Sequence, residues 1–263
     1  LGYGCGAACV LILVRTRDAR MRPRAADWRP HWDWMRRIAR IGLPAGTDAA
    51  ANACCHMVFL SVVNRLGDVG AAAHAVAITI ESLAFLPGSA FQVAAATLAG
   101  QFLGARDERR ARRSVWLAAL TCAGLMSVAG ACFYLWAEPL AAWFVGGAGS
   151  QPEVADAAAG LVRIVAFAQP PLALLMVFSG GLRGAGATRP PLVVNFLGML
   201  AIRLPLALVL SAPAVELPLG AGTIAGFGLG VRGAWLAMAA DLTARGAAML
   251  AIFARARWTR VEV

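Results

Sequence analysis

The sequence predicts an all-α membrane protein. Three observations carry that prediction: too few charges for water, apolar runs long enough to cross a bilayer, and arginines gathered on alternate connections. Of the 263 residues, 60% are apolar and 14% charged, whereas a soluble domain has about 45–50% apolar and about 25% charged residues. A globule of this composition would have too little surface charge to stay dissolved, so lipid is the solvent that suits it. Helices follow because hydrocarbon cannot satisfy an open backbone, and the ten-residue alternation of a membrane barrel is not seen.

In chain order, residues 1–14 are apolar but shorter than the roughly 20 residues a span needs. No basic stretch precedes them and no small-residue cleavage site follows, so they read as the tail of a preceding helix. Residues 15–40 carry nine Arg with Trp28, Trp32 and Trp34, the composition of a cytoplasmic linker lying on the membrane surface; a solvated loop is the alternative. Six apolar runs then make up an expected six-helix lobe, 41–254. They cover about 41–64, 72–102, 114–137, 161–182, 190–212 and 229–254, each enough to cross about 30 Å of hydrocarbon. The third run has no charge from Ser114 to Ala137, and the fourth none from Ile164 to Leu182. Pro44, Pro87, Pro170, Pro171 and Pro205 fall inside runs, where each removes a backbone hydrogen bond and should bend its helix. Residues 255–263 form a tail.

All 24 basic residues are Arg, which produces the net charge of +10. Their placement argues against nucleic acid as the reason. Segments 15–40, 106–113, 183–189 and 255–260 are every second connection and hold 19 of the 24. The connections between them hold Asp68, Glu138, Glu153, Asp156 and Glu216 instead. Arginine collects on the cytoplasmic side, so the C-terminus is expected inside and the protein is expected to be multi-pass. The six cysteines (Cys5, Cys9, Cys54, Cys55, Cys122 and Cys132) lie in apolar runs without metal-ligand spacing, as small packing residues do. No metal site or cofactor is expected.

Ionisable groups inside spans are costly and are the first place to look for function. Asp48 lies about seven residues into the first run, roughly 10 Å from the cytoplasmic surface at 1.5 Å per residue. It shares a helix face with Asn52 and His56, and no cation precedes it in its span. A carboxylate so placed can carry a proton or bind a cation; the alternative is a group that snorkels to cytoplasmic water. Glu81 and Arg203 lie at matching depths in the second and fifth runs, which permits an ion pair between them. Asp241 and Arg245 are four apart and can pair along one helix face. His74 reads as structural. Asn64, Gln92, Gln101, Gln169 and Asn195 either line a cavity or bond neighbouring helices. Gly180 with Gly184, Gly222 with Gly226, and Gly226 with Gly230 form GxxxG pairs, a mark of close helix contact. Gly228, Gly230 and Gly233 match GxGxxG, but a dinucleotide site needs a preceding strand and a βαβ unit, and this stretch opens a membrane helix. No HExxH, GxSxG or Walker loop occurs, so an enzyme is not expected.

Several runs together resemble a known family. Ile41-Gly-Leu-Pro-Ala-Gly46 with Asp48 behind it resembles the start of the seventh helix of MATE (multidrug and toxic compound extrusion) transporters. Ala73-His-Ala-Val-Ala77, Ile80-Glu-Ser-Leu83, Leu86-Pro-Gly88 and Gly100-Gln101 are similar to their eighth helix. Gly181-Leu-Arg-Gly-Ala-Gly186, Arg203-Leu-Pro205 and Gly233-Ala-Trp-Leu-Ala237 resemble later landmarks in the same order. The resemblance implies the second half of a twelve-helix, two-lobe transporter, with an N-terminal lobe as its missing partner. It also implies a place in the plasma membrane (the bacterial inner membrane), and export of amphipathic or cationic small molecules in exchange for H⁺ or Na⁺ by alternating access. On that reading Asp48 takes the place of a coupling-ion acid, usually Glu. Asn52, Glu81, Gln92, Gln169, Asn195 and Arg203 are candidates to line the cavity. Some family members carry a second acid on the tenth helix; the matching run, Ile164–Leu182, offers only Gln169. The alternatives are a flippase of the same broad fold moving a lipid-linked saccharide, which would line its cavity with several arginines, and a membrane protein that does not transport. Arg203 and Arg245 are the only deep arginines the sequence suggests.

Overall fold

The computed structural model describes residues 4–10, 31–146, 151–216 and 223–255. The chain divides into Leu1–Gly42 and Leu43–Val263. In the first unit, residues 4–10 are helical; the rest of the expected tail and most of the linker, Trp28 included, lie outside the described residues. Helix α1, Trp32–Asn64, begins before the 41–64 run and continues through it without interruption.

The second unit is built from long helices. Following α1 come α2 (Asp68–Gly104), α3 (Glu108–Leu135), the short α4 (Ala137–Val145) and α5 (Pro152–Gly184). Helix α6 runs Arg189–Ser211 and α7 Gly230–Ala254. Helices α2, α3, α5, α6 and α7 are long and apolar enough to cross a membrane. Among the described residues five of the six expected runs qualify; the sixth, in α1, has the length at 33 residues but falls short in apolarity, because Asp48, Asn52, His56 and Asn64 interrupt it. Turn chemistry marks the joints. The Asp107 side chain accepts from the Arg110 backbone N–H at 2.9 Å and caps α3, and Pro152 and Pro190 occupy first-turn positions where a missing N–H costs nothing.

Helix α5 is the centre of the unit. It packs against α2, α3, α4 and α7, and 67% of its apolar window is buried, the largest share among the five. A helix without charge over Ile164–Leu182 has no face that asks for water, so it takes the middle. Its contact with α2 is close: a Cβ on Gly180 or Gly184 would run into the carbonyl oxygens of Gln92 and Ala96. The Gly180/Gly184 pair is therefore a helix contact, as its spacing predicts. Gly226 instead lies in the connection before α7, so its pair with Gly230 is not a helix contact, and Gly222 lies outside the described residues. Gly228 and Gly230 both have positive φ and turn the chain into α7. That conformational need accounts for Gly228 and Gly230, while Gly233 lies in α7 where a Cβ would collide with the Leu210 carbonyl oxygen.

The outward faces carry Leu83, Leu86 and Val93 on α2, Leu117, Leu120 and Val128 on α3, and Val193, Leu197 and Leu200 on α6, all exposed. Surfaces of this kind suit hydrocarbon. Tyr134, Trp136 and Trp143 stand exposed around the α3–α4 joint, where amphipathic rings anchor a membrane protein at the headgroup level.

Two details depart from a plain helical lobe. Ala214–Glu216 (β1) and Thr223–Ala225 (β2) pair antiparallel with Ala214 opposite Ala225, between α6 and α7. Helix α6 widens to a π turn over Gly198–Arg203 before Pro205. Proline cannot donate to the preceding turn and its ring crowds the carbonyl four residues back. The wider turn carries the helix past Pro205 and faces Arg203 into the protein.

Candidate functional site

The site is a polar network at the meeting of α1, α5, α6 and α7, beside a cavity of about 430 Å³. On α1, Asp48, Asn52 and His56 follow one another at four-residue spacing and so share a face. Asp48 is buried. Its carboxylate accepts from the guanidinium of Arg183 at the end of α5, and from the Asn195 amide on α6 at 3.2 and 3.3 Å. The sequence shows no cation near Asp48 in its own span, but the fold supplies one from 135 residues away. Arg183 sits in a stretch that reads as a cytoplasmic connection. The available hint was depth, since an arginine ending one span can reach an acid less than two turns inside the next, its stem lying along apolar surface.

Asn195 is the hub. While its amide donates to Asp48, its Oδ1 accepts from Arg245 Nη1 at 3.3 Å. Arg245 in turn holds Asp241 by two parallel bonds, Nε to Oδ1 at 2.8 Å and Nη2 to Oδ2 at 2.6 Å, the forked geometry that suits guanidinium and carboxylate. Both residues are buried, as the spacing of the pair predicts. Gly198 makes room for this fork: a Cβ there would collide with the Arg245 stem and lie 2.7 Å from Asp241 Oδ1.

Arg203 does not pair with Glu81, although their depths match. Its Nε lies 3.8 Å from Asp241 Oδ2, and its guanidinium stands over the Phe59 ring with 5.0 Å to the centroid. Matching depth fixes position along the bilayer normal only; packing of α6 against α7 turns Arg203 toward Asp241. His74 accepts from the Trp235 indole N–H at 3.1 Å and meets the rings of Phe59 and Trp235.

Asn52, Glu81, Gln92, Asn195 and Arg203 all line the cavity, joined by Arg183, Arg245 and Ser179. Gln169 does not. It is fully buried, donates to the Val165 carbonyl at 3.4 Å and leaves its Oε1 without a partner. The Gly130 turn of α3 lies against its stem, so α5 presents Gln169 to a neighbouring helix rather than to open space. Asp48 is not in the cavity wall either; it acts on that wall through Arg183 and Asn195.

Long apolar helices with exposed leucines, beside an open, solute-sized cavity whose largely apolar lining carries guanidinium, amide and carboxylate groups, define a polytopic membrane protein. The comparisons agree. The MatE family model matches residues 44–209. The chain is 28% identical over 237 residues to the probable multidrug resistance protein NorM of Thermotoga maritima, covering 89% of this chain and 47% of that protein. It is 25% identical over 275 residues to the multidrug resistance protein MdtK of Photorhabdus laumondii, covering 99% and 56%. Among solved structures, a MOP superfamily transporter from Pyrococcus furiosus superposes with a TM-score of 0.82 at 17% identity, covering 98% of this chain and 55% of that one. The Vibrio cholerae MATE transporter VcmN gives 0.81 at 19%, covering 97% and 53%. The chain belongs to the MATE family. It spans about half the length of the curated relatives it matches.

Proposed function

We infer that this chain forms one lobe of a secondary active transporter that exports amphipathic or cationic small molecules in exchange for H⁺ or Na⁺ by alternating access, from the bacterial inner membrane. The observation that carries this reading is Asp48, a buried carboxylate that ties α1 to α5 and α6 through Arg183 and Asn195. Charges in this network are matched locally, Arg183 to Asp48 and Arg245 to Asp241. A proton or cation arriving at Asp48 therefore weakens its hold on the Arg183 guanidinium, which lines the cavity. Ion uptake then changes both the charge of the cavity wall and the tie between helices, which is the coupling an antiporter needs. The missing partner is the other lobe, facing this one across the translocation path.

The test uses the complete protein in liposomes, with ethidium as the cationic probe and an imposed H⁺ or Na⁺ gradient. One of the two gradients should drive probe movement, and Asp48→Asn should slow driven movement at least about tenfold while leaving the protein folded, since about tenfold corresponds to one charge-assisted contact. Undiminished driven transport by Asp48→Asn counts against the role of Asp48.

One observation favours a second reading. Three arginines, not two, line the cavity, because Arg183 joins Arg203 and Arg245. Several cavity arginines are the mark expected of a flippase moving a lipid-linked saccharide, and export of such a lipid in place of ethidium would support that alternative.

A further inference from the structure

The charged groups of the cavity wall are mainly cationic. Guanidinium groups of Arg183, Arg203 and Arg245 line it against the single carboxylate of Glu81. Two of the three are held by acids outside the lining, Arg183 by Asp48 and Arg245 by Asp241. Arg203 is held more loosely than either, in a 3.8 Å ion pair with Asp241. It is 7% exposed, and its Nε is buried without a hydrogen-bond partner. The nearby Asp241 Oδ2 stands 3.8 Å away and already accepts from Arg245. No ion pair joins Arg203 to Glu81. The Phe59 ring lies beneath the guanidinium, 5.0 Å from its carbon to the ring centroid. On the same wall Ser179 is 4% exposed, and its Oγ also lacks a partner. A buried donor left unmade is costly and uncommon. Two in one cavity, one of them charged, match a ligand that brings acceptor oxygens. Ile78, Phe85, Leu172, Leu175, Met176 and Leu242 supply the apolar remainder of the wall.

We propose that this cavity binds the anionic oxygen group, carboxylate or phosphate, of an amphipathic substrate, with the Arg203 guanidinium and the Ser179 hydroxyl as donors and the apolar wall as the seat of its body. The assignment rests on reading the chain as a transporter and narrows the amphipathic compounds of that reading to those bearing an acid. A guanidinium not tightly paired at the wall can meet such an oxygen without first breaking a strong ion pair, which Arg183 and Arg245 cannot do.

The test titrates the complete protein in nanodiscs with three probes sharing one pyrene body: 1-pyrenebutyrate, its primary amide, and 1-pyrenebutylamine. The carboxylate should bind about tenfold more tightly than the amide, the advantage of one charge-assisted hydrogen bond. Arg203→Gln should abolish that preference while amide binding persists, which shows that the variant is folded. Should Arg203→Gln bind no probe at all, Ser179→Ala decides the matter and should reduce the preference about threefold. Equal binding of carboxylate and amide by the unaltered protein, tightest binding of the amine, or full preference in both variants overturns the proposal. Competition by dodecyl phosphate against dodecanoate identifies the source: stronger displacement by the phosphate assigns a lipid-type phosphate, stronger displacement by dodecanoate a carboxylate, and either supports the site. If the amine is bound and exported while the acid is not bound, this proposal fails and the transporter reading stands. If neither is bound or exported, both fail.

Discussion

At the scale of single residues the account turns on how buried charges are matched. Asp241 and Arg245 are held by two short bonds in a fully buried setting, and removing one partner leaves the other charged and unsolvated. Asp241→Asn or Arg245→Leu should each lower stability by about 3–5 kcal/mol, whereas the double change to apolar residues should cost less than either alone. Thermal unfolding in detergent with a thiol-reactive dye reads this directly; a double variant as unstable as the sum of the singles would contradict it. This pair was legible in the sequence because four-residue spacing on one helix needs no knowledge of packing. The Arg183 partner of Asp48 was not legible, since it lies 135 positions away and reads as loop charge. Nor was the neighbour of Arg203: depth along the membrane follows from counting residues, but the direction in which a side chain faces follows from how helices pack.

At the scale of elements, close approach is what glycine provides. Gly198 opens the π turn of α6 against the Arg245 stem and Asp241. Gly198→Ala should displace that fork and lower the unfolding temperature by several degrees, with about 1–3 kcal/mol lost to overpacking. Gly124 on α3 meets nothing within 4 Å, so Gly124→Ala should be neutral or mildly stabilising. Equal effects of the two substitutions would mean that the tight contact at Gly198 does not form. Element ranges were largely legible, because apolar runs bounded by charge mark helices. The π turn and the small β ribbon were not, as both answer local backbone needs that hydropathy does not register. The cavity candidates chosen by asking which polar groups lie in apolar runs include Asn52, Glu81, Gln92, Asn195 and Arg203, which stand along the cavity, but not Arg183, Arg245 or Ser179, which stand there too. Gln169 passed that filter and still faces a neighbouring helix, because the filter is blind to rotation about the helix axis.

At the scale of the whole molecule, leucines and valines exposed on α2, α3 and α6 suit hydrocarbon, and the 19 of 24 arginines on alternate connections predict an orientation with those connections inside. With the native cysteines replaced, Glu138→Cys should react with an impermeant maleimide added outside intact cells. Arg109→Cys should react only after permeabilisation; the reverse pattern would invert the orientation. The central claim concerns Asp48 and Arg183: an ion taken up by one is felt through release of the other. The most direct measurement is gradient-driven probe transport in liposomes by Asp48→Asn, Arg183→Gln and the double variant, read as a cycle. Each single change should uncouple transport from the ion gradient, and the double variant should be no worse than Asp48→Asn alone. Independent, multiplying losses, or a fully coupled Asp48→Asn protein, would contradict that claim.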